Sequence, residues 1–348
     1  RKNKKKVGAL AGIPLGVKDL ISVKGQTCSC GSRMLENYVA PYDAFIIQKL
    51  VRQGEAIIVG RLNMDEFAMG SSTESSYYGI TKNPWDLERV PGGSSGGSSA
   101  AMAADEAIIC LGSDTGGSIR CPSAYTGTTG IKPTYGRNSR YGIVAYSNSL
   151  EQVGPLTKCV KDTALMLEIM AGYDPQDATS ADEPVENYSQ LLEGGVENIT
   201  IGVPDEFFGE GIDEVVSNKV KEGIKTLESL GASTKKVSLP HLKYALPTYY
   251  IIAMSEASSN LARYDGLRYG YRTKEEAAVK AVQEKFKQKG VPTSQTAAEF
   301  MVTRREGFGN EVRRRIILGT FALSAGYADQ YYLKALKVRT LIKNDFLN

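Results

Sequence analysis

Short apolar runs alternate along this chain with segments in which apolar residues recur at helical spacing. An apolar run bounded by turn residues is typical of a buried strand. Runs of this kind lie at 56–59, 107–111 and 199–203. Because these runs alternate with helical segments, the pattern predicts an α/β fold whose mixed central sheet is covered by helices on both faces.

Helices are predicted where apolar residues repeat every three or four positions. The clearest such segment is 213–230, with Asp213 as its N-cap and Gly231 at its end. Another helix is predicted after Asp43, which is placed to cap it, and Gly54 is placed to stop it. Further helical segments lie at 98–104 and 163–170, and residues from about 240 onward read as mostly helical.

Composition narrows the classes of function. The formal net charge of +3 gives no reason to expect nucleic-acid binding by this chain, and the basic run at 1–6 is interpreted as a solvated segment. No apolar run approaches the length of a membrane span. The scattered cysteines are interpreted as reduced thiols, so a cytoplasmic protein is expected. The five cysteines lack zinc-ligand spacing and a single histidine is present, so no metal site is predicted and reduced thiols are expected.

The glycine- and serine-rich segment PGGSSGGSS at 91–99 admits three interpretations. A flexible linker is disfavoured, because the segment runs directly into a small-residue helix and a buried strand. A phosphate-binding loop has weak support, because the chain contains no Gly-Lys dipeptide. A nucleophile elbow at Ser94 would need a histidine base, and His241 has no carboxylate beside it in the sequence.

A second cluster, GSDTGGSIRCP at 112–122, indicates where a nucleophile lies. Consecutive glycines before Ser118 allow successive backbone amides to point toward one spot, as a tetrahedral oxyanion requires. Asp114 and Arg120 flank this loop with opposite charges and are interpreted as its structural brace. Ser118 is therefore the candidate nucleophile.

A serine nucleophile without a nearby histidine needs another base. A lysine can serve if burial lowers its pKa, because a low-dielectric site disfavours the ammonium form. Lys18, in GIPLGVKD at 12–19, follows an apolar strand-like run, which is an unusual place for a charged side chain. Lys18 is therefore the candidate base.

Together these segments resemble the amidase signature family. The pattern GGSSGG, a spacer and then DTGGSIR-x-P matches 92–97 and 114–122, and the GVKD motif stands upstream in the family order. The resemblance implies the amidase-signature fold over 1–348 as a single domain, with a triad-bearing core at 7–175. The mostly helical part at 240–348 is expected to contribute to substrate binding. The chain is expected to be a fragment in which both ends of the family domain are absent.

The resemblance also implies a role for each residue of a Ser-Ser-Lys triad. Ser118 would form the acyl-enzyme, Ser94 would relay its proton after a cis Gly93–Ser94 peptide, and Lys18 would act as the base. The oxyanion hole would use the backbone amides of Thr115, Gly116, Gly117 and Ser118. The residues expected to contact the substrate are Arg304, Gly70 and Ser71.

Within the family, the chain is similar to the glutaminase subunits of tRNA-dependent amidotransferases. The resemblance extends over the segments 63–74, 255–263, 306–309 and 337–346. It implies hydrolysis of glutamine, with Arg304 holding the α-carboxylate and an acidic residue for the α-amino group lying beyond Asn348. The ammonia would convert Glu-tRNA(Gln) or Asp-tRNA(Asn) to the amide.

This resemblance implies partners and no cofactor of the chain's own. A kinase and tRNA-binding B subunit would use ATP and Mg²⁺, a small C subunit would complete the complex, and tRNA would be contacted through the partner. An organellar location is the alternative if a transit peptide precedes Arg1. Two other functions stay open: a stand-alone amidase acting on aryl or aliphatic amides, and a non-catalytic scaffold subunit.

Overall fold

The computed structural model describes residues 7–348, so the basic run at 1–6 and its interpretation lie outside the described residues. The chain divides into two compact units. Unit 1 comprises the residues up to Glu186 together with Ala253–Thr320, and unit 2 comprises Asn187–Ile252 and Phe321–Asn348. The predicted triad-bearing core at 7–175 thus falls within unit 1, whereas the predicted helical part at 240–348 is shared by both units.

A mixed five-stranded sheet organises unit 1. Its strands are β1 (Pro14–Lys18), β2 (Ile57–Leu62), β3 (Ile109–Asp114), β4 (Thr129–Gly130) and β5 (Gln152–Thr157). The order is β2-β1-β3-β5-β4, with β1 parallel to β2 and β3, and with β5 antiparallel to β3 and β4. In unit 2, β6 (Thr200–Pro204) and β7 (Ser233–Val237) form a separate parallel pair. The predicted mixed sheet is therefore confirmed.

Helices make up most of the remaining regular structure. The α-helices are α1 (Phe45–Ile47), α2 (Gly96–Ala103), α3 (Arg120–Thr126), α4 (Val160–Met170), α5 (Tyr188–Leu191), α6 (Glu214–Ser229), α7 (Ala245–Asn260), α8 (Glu276–Gln288), α9 (Gln295–Gly307), α10 (Asn310–Leu323) and α11 (Lys334–Leu347). Short 3-10 turns lie at Arg33–Leu35, Glu66–Ala68, Asp205–Phe208, Leu242–Tyr244 and Leu261–Arg263, and wider π-helical turns lie at Gln48–Gln53 and Asp329–Leu333. None of these helices within 7–348 is both long enough and apolar enough to cross a membrane.

The parallel pairing of β1 and β3 places the functional segments at one edge of the sheet. Val17 is the register partner of Leu111, so both strands end at the same side. Every residue of β3 is buried, although the strand begins with apolar side chains and ends with Ser113 and Asp114. Lys18 is the last residue of β1. The sheet therefore places one buried lysine and a pair of buried polar side chains at a common edge.

The boundaries of β3 differ from the predicted run at 107–111. The apolar run stops at Leu111, yet the strand continues to Asp114. It continues because β5 pairs with it, with Gly112 opposite Gly154 and Asp114 opposite Gln152. A partner strand thus extends β3 through residues whose own propensity for strand is low.

The two predicted caps had different outcomes. Asp213 accepts hydrogen bonds from the amides of Val215 and Val216 at 2.8 and 3.3 Å, which confirms it as the N-cap of α6. The prediction for Asp43 was wrong, because the residue before α1 is Ala44 and no side chain caps that helix. The Asp43 carboxylate instead accepts from the Lys24 amide and the Arg52 guanidinium, both at 2.8 Å.

The cap of α6 provides a test of local stability in unit 2. Replacing Asp213 with alanine leaves two amides of the first turn without their acceptor, and we expect the free energy of unfolding of this unit to fall by about 1 kcal/mol. Urea unfolding followed by helix circular dichroism measures the change. Asp213→Ser, which keeps an acceptor oxygen, should recover most of the stability, and equal losses in both variants would show that the cap contributes nothing.

Candidate active site

The side chain of Lys18 is fully buried at the end of β1. Its Nζ lies 2.7 Å from Ser94 Oγ, 2.8 Å from Ser95 Oγ and 3.0 Å from Ser113 Oγ. Burial lowers the pKa of Lys18 from its ordinary 10.5 to about 7, although the charges of nearby acidic groups act in the opposite direction. At neutral pH a large fraction of this lysine is therefore an amine that can accept a proton.

The peptide bond that presents Ser94 to this lysine is cis, between Gly93 and Ser94, which confirms that prediction. Gly93 has no room for a side chain, because a Cβ there would lie 2.1 Å from Asp65 Oδ2 and 2.6 Å from the Ser72 nitrogen. Immediately after this turn α2 begins at Gly96. The short side chains of the GGSSGG segment thus allow the chain to pass between Lys18 and the 65–73 segment.

Asp65 organises the segment beneath this turn and is itself buried. Its carboxylate accepts hydrogen bonds from the Thr73 amide and the Ser75 hydroxyl, both at 2.9 Å, and its own amide donates to the Ser94 carbonyl at 3.2 Å. Gly70 and Ser71 therefore lie within a loop that the hydrogen bond from the Thr73 amide to the Asp65 carboxylate closes. Gly70 packs directly on the Asp65 carboxyl group, where a Cβ would lie 2.3 Å from Cγ.

Gly70 and Ser71 lie beside the turn that carries Ser94. A Cβ on Gly93 would lie 2.8 Å from the carbonyl carbon of Ser71, and the Ser71 side chain is exposed. The structure thus brings these two residues to the triad, whereas their contact with substrate stays a prediction.

The loop that carries Ser118 is held by Asp114, as the sequence predicted. The buried carboxylate accepts from the amides of Gly117 and Ile119 at 2.8 and 3.1 Å and from the Arg120 guanidinium at 3.0 and 2.9 Å. Burial alone would raise the pKa of Asp114, but the Arg120 hydrogen bonds and charge and the two amides hold that pKa below its ordinary 3.8. The loop is therefore built around a carboxylate that stays ionised.

Ser118 itself is 7% exposed, and its backbone is hydrogen-bonded to the GGSSGG segment at 92–97. Its carbonyl accepts a hydrogen bond of 3.1 Å from the amide of Ser95, the residue next to Ser94. Gly117 has a φ of +121°, which favours glycine and turns the chain just before Ser118. The structure thus fixes the backbone of Ser118 relative to Ser94 and Lys18.

The predicted oxyanion donors have different environments. The amide of Gly117 already donates to Asp114, so an oxyanion would share that hydrogen. Thr115 is buried, and its hydroxyl oxygen has no hydrogen-bond partner among residues 7–348. Gly116 is exposed at the tip of the loop. The oxyanion role of these three residues stays a prediction.

Arg304 lies on α9 in unit 1 and is half-buried. Its guanidinium donates to the carbonyls of Leu261 and Tyr264 at 2.8 and 2.7 Å and lies 4.9 Å from the centre of the Phe308 ring. Phe67 packs against the Tyr264 and Phe308 rings, at 5.2 and 5.6 Å between centres, and so connects Arg304 to the 65–73 segment. The role of Arg304 in substrate binding stays a prediction.

His241 lies in unit 2, and its partner is a carboxylate, the kind of group that orients the histidine of a serine–histidine site. Its Nδ1 and backbone amide both lie 2.8 Å from the carboxylate of Asp345. The sequence could not show this pair, because the two residues are far apart in the chain. The hydroxyl of Ser94, however, is hydrogen-bonded to Lys18 at 2.7 Å, so the base beside Ser94 is a lysine and not a histidine.

Three residues near Lys18 were missed by sequence reasoning: Ser95, Ser113 and Glu151. Ser95 was obscured by its neighbour Ser94, since either serine of the pair could have faced the lysine. Ser113 lies on β3. Because side chains along a strand alternate between the two faces of the sheet, the sequence places Ser113 on the same face as the apolar residues Ile109 and Leu111. Glu151 is buried, and burial raises the pKa of its carboxyl group to about 7. No signal in the sequence marked it.

Within residues 7–348, the structure contains no group of three or more His, Cys, Asp or Glu side chains placed to hold a metal ion. The groups gathered around Nζ at this edge of the sheet are serine hydroxyls. A sequence model of the family described as Amidase matches residues 1–348.

The chain belongs to the amidase family. This confirms the resemblance on which the triad was predicted.

This amidase is 59% identical over 339 residues to the glutamyl-tRNA(Gln) amidotransferase A subunit of Methanosarcina barkeri, and 58% identical to that of Methanosarcina mazei. Each alignment covers 97% of this chain and 67% of the relative. The crystal structure of the glutamyl-tRNA(Gln) amidotransferase A subunit from Thermotoga maritima is similar, with a TM-score of 0.77 and 43% identity.

The alignment with the Thermotoga maritima structure covers 98% of this chain and 66% of that chain. The chain thus spans about two thirds of the length of the relatives that it matches. The predicted amidase-signature fold is confirmed.

The lowered pKa of Lys18 predicts how amide hydrolysis depends on pH. Because only the amine can take a proton, we expect kcat/KM to rise with pH through about 7 and then to level off. Initial rates between about pH 5.5 and 9 measure this profile. Lys18→Arg should be inactive throughout, because guanidinium stays protonated, and hydrolysis by that variant would show that a neutral base at position 18 is unnecessary.

The brace around Asp114 predicts a loss of both stability and activity in Asp114→Asn. An amide has one acceptor oxygen and no charge, so the amides and Arg120 lose part of their bonding, and we expect the free energy of unfolding to fall by about 1–3 kcal/mol. The depressed pKa means that Asp114 stabilises the fold above its ordinary pKa, and that this stability is lost as the pH falls below it. Urea unfolding of both proteins at pH 7 and pH 3 measures the difference.

Arg120→Gln serves as the control for this prediction. The Arg120 side chain is 54% exposed, and the amides of Gly117 and Ile119 still bind Asp114 in this variant. We therefore expect a smaller loss than in Asp114→Asn. Equal unfolding curves for wild type and Asp114→Asn would contradict the assigned brace.

Proposed function

We propose that this chain is the glutamine-hydrolysing part of a tRNA-dependent amidotransferase. The observation that carries the proposal is the fully buried Lys18 amine at 2.7 Å from Ser94, beside the braced loop of Ser118. The relatives named as A subunits of glutamyl-tRNA(Gln) amidotransferase support the choice of substrate, since their identity to this chain reaches 59%. The ammonia released would amidate Glu-tRNA(Gln), with Asp-tRNA(Asn) as the other acceptor to be tested.

In this proposal Ser118 Oγ attacks the side-chain carboxamide carbon of glutamine. Its proton passes to Ser94, while the Ser94 proton passes to the Lys18 amine. Collapse of the tetrahedral intermediate breaks the carbon–nitrogen bond, and the Lys18 ammonium returns its proton through Ser94 to the leaving nitrogen. A glutamyl ester on Ser118 and one ammonia result, and water then hydrolyses the ester by the same proton route.

Burial of the site supports this use of Lys18. A lysine at its ordinary pKa of 10.5 would be protonated in all but a small fraction of molecules at pH 7, whereas a pKa of about 7 makes the amine common. The ammonium formed in the reaction then has three hydroxyl oxygens within 3.0 Å as acceptors. The same pocket thus supplies a base before the attack and stabilises its protonated form afterwards.

Arg304, Gly70 and Ser71 are proposed to bind glutamine. A guanidinium can hold a carboxylate by two parallel hydrogen bonds, and Arg304 keeps its orientation through the carbonyls of Leu261 and Tyr264. Gly70 and Ser71 lie next to the Ser94 turn and would contact the part of the substrate nearest the scissile bond. Arg304→Lys should raise KM for glutamine far more than it lowers the rate with a small neutral amide.

The proposed complex includes a B subunit that binds ATP, Mg²⁺ and tRNA, and a small C subunit. The chain itself is proposed to bind no cofactor and to act in the cytoplasm. Stimulation of glutamine hydrolysis by the partner, tRNA and ATP together would support this assembly. Hydrolysis that is indifferent to all three would favour a stand-alone amidase.

The decisive experiment is intact-protein mass spectrometry of the full-length protein after brief mixing with glutamine and an acid quench. The proposal expects a glutamyl adduct on the wild type and none on Ser118→Ala. An adduct with a simple aryl or aliphatic amide, but none with glutamine, would keep the triad and overturn the amidotransferase assignment. The absence of an adduct with any amide would overturn both and favour a non-catalytic scaffold.

A further inference from the structure

We propose that Ser95, assisted by Ser113, is a positioning residue that directs the lone pair of the neutral Lys18 amine at the hydroxyl of Ser94. The inference rests on the proposed function, because it refines how the same base takes a proton. It concerns two serines that lie outside the predicted triad and that both contact Lys18 Nζ. It follows from a count of hydrogens and lone pairs around that nitrogen.

The hydroxyl of Ser95 has no hydrogen to give to Lys18. It donates to the carbonyl of Ser113 at 3.1 Å, and it accepts from the Ser113 amide at 3.3 Å. A serine hydroxyl has one hydrogen and two lone pairs, so one lone pair is left, and Lys18 Nζ lies 2.8 Å away. The contact between Lys18 and Ser95 must therefore be a donation by the lysine in both of its protonation states.

Ser113 provides a second acceptor for Lys18. Its hydroxyl oxygen lies 3.0 Å from Nζ and its carbonyl oxygen lies 3.5 Å from Nζ. A carbonyl can only accept, so this residue attracts a hydrogen of Nζ whatever the orientation of its hydroxyl. Two of the hydrogens on Nζ are thereby directed at Ser95 and Ser113.

The remaining direction on Nζ faces Ser94, at 2.7 Å. A neutral amine has two hydrogens and one lone pair, and with both hydrogens held elsewhere the lone pair points at the Ser94 hydroxyl. Ser94 then has to donate to Lys18, which is the direction that the proton relay requires. Without Ser95, Nζ can rotate so that it donates to Ser94 and no longer accepts from it.

The charges around Lys18 do not orient its amine. The charges of Glu151, Asp65 and Asp114 raise the pKa of Lys18 against the larger effect of burial, so they change how readily it is protonated. None of them has a hydrogen bond to Nζ among the contacts of residues 7–348, where the donors and acceptors at this nitrogen are the three serines. Orientation of the amine is thus a property of hydroxyl and carbonyl groups.

The test is a pH–rate profile of amide hydrolysis by Ser95→Ala and Ser113→Ala in the full-length protein with its partner subunits. We expect kcat of Ser95→Ala to fall by about tenfold to a hundredfold, because the base is misdirected. The acid limb of its kcat/KM profile should also move to lower pH, because a hydrogen bond from an ammonium is stronger than one from an amine and its loss disfavours protonation. Ser113→Ala keeps the carbonyl and should show the same changes at smaller size.

Ser98→Ala is the matched control. Ser98 is a fully buried serine on the same helix α2, and it donates to the Leu111 carbonyl at 2.9 Å without contacting Lys18. It should lose stability but keep the acid limb of the wild type. If Ser95→Ala does not fold, the predicted shift of the acid limb in Ser113→Ala is the test instead.

Two results would overturn the inference. The first is a wild-type kcat with an unmoved acid limb in folded Ser95→Ala or, if that variant does not fold, in Ser113→Ala. The second is a loss of rate in the tested variant, without any shift of the acid limb, that Ser98→Ala reproduces. Rates are measured with glutamine and with a small neutral amide. If the wild type cleaves only the neutral amide, the glutaminase proposal fails, while the role of Ser95 is still decided on that amide.

Discussion

The burial of one lysine amine among serine hydroxyls is the constraint on which the rest of the site depends. In water Lys18 would be charged and could not act as a base, and it is the loss of hydration that lowers its pKa to about 7. A buried amine in turn needs short polar neighbours that leave no space for water. Ser94, Ser95 and Ser113 meet this requirement, each with its oxygen within 3.0 Å of Nζ.

This arrangement costs stability, and the sign follows from proton binding. Between pH 7 and 10.5 the unfolded chain holds a proton on Lys18 that the folded chain largely lacks, so this group's contribution to the free energy of unfolding rises with pH across that range. Below pH 7 the full cost of burying the cation is present. The remainder of the fold has to offset that cost, and the continuous burial of the adjacent strands β3 and β5 is one source of stability.

Two buried aspartates give the glycine-rich loops their shapes without competing for the lysine. Asp65 binds the amide of Thr73 and the hydroxyl of Ser75, and Asp114 binds amides of its own loop and Arg120. Neither carboxylate has a direct hydrogen bond to Lys18 within the described residues. Were either to form an ion pair with it, the ammonium would be favoured and the base would be lost. The loops are therefore held by neutral backbone amides, by the Ser75 hydroxyl and by an arginine that stays protonated.

The sequence by itself determined the family and the mixed α/β fold, and it indicated Lys18, Ser94 and Ser118 as the candidate triad, because these depend on local motifs and on their order along the chain. It also determined the Asp213 cap, which acts within one turn of helix. Only the tertiary structure decided that Asp43 binds Arg52 instead of capping, that β3 runs on to Asp114, and that Ser95 and Ser113 contact Lys18. Each of these depends on a partner outside the local segment, and a local pattern does not show which outside group will form a given hydrogen bond.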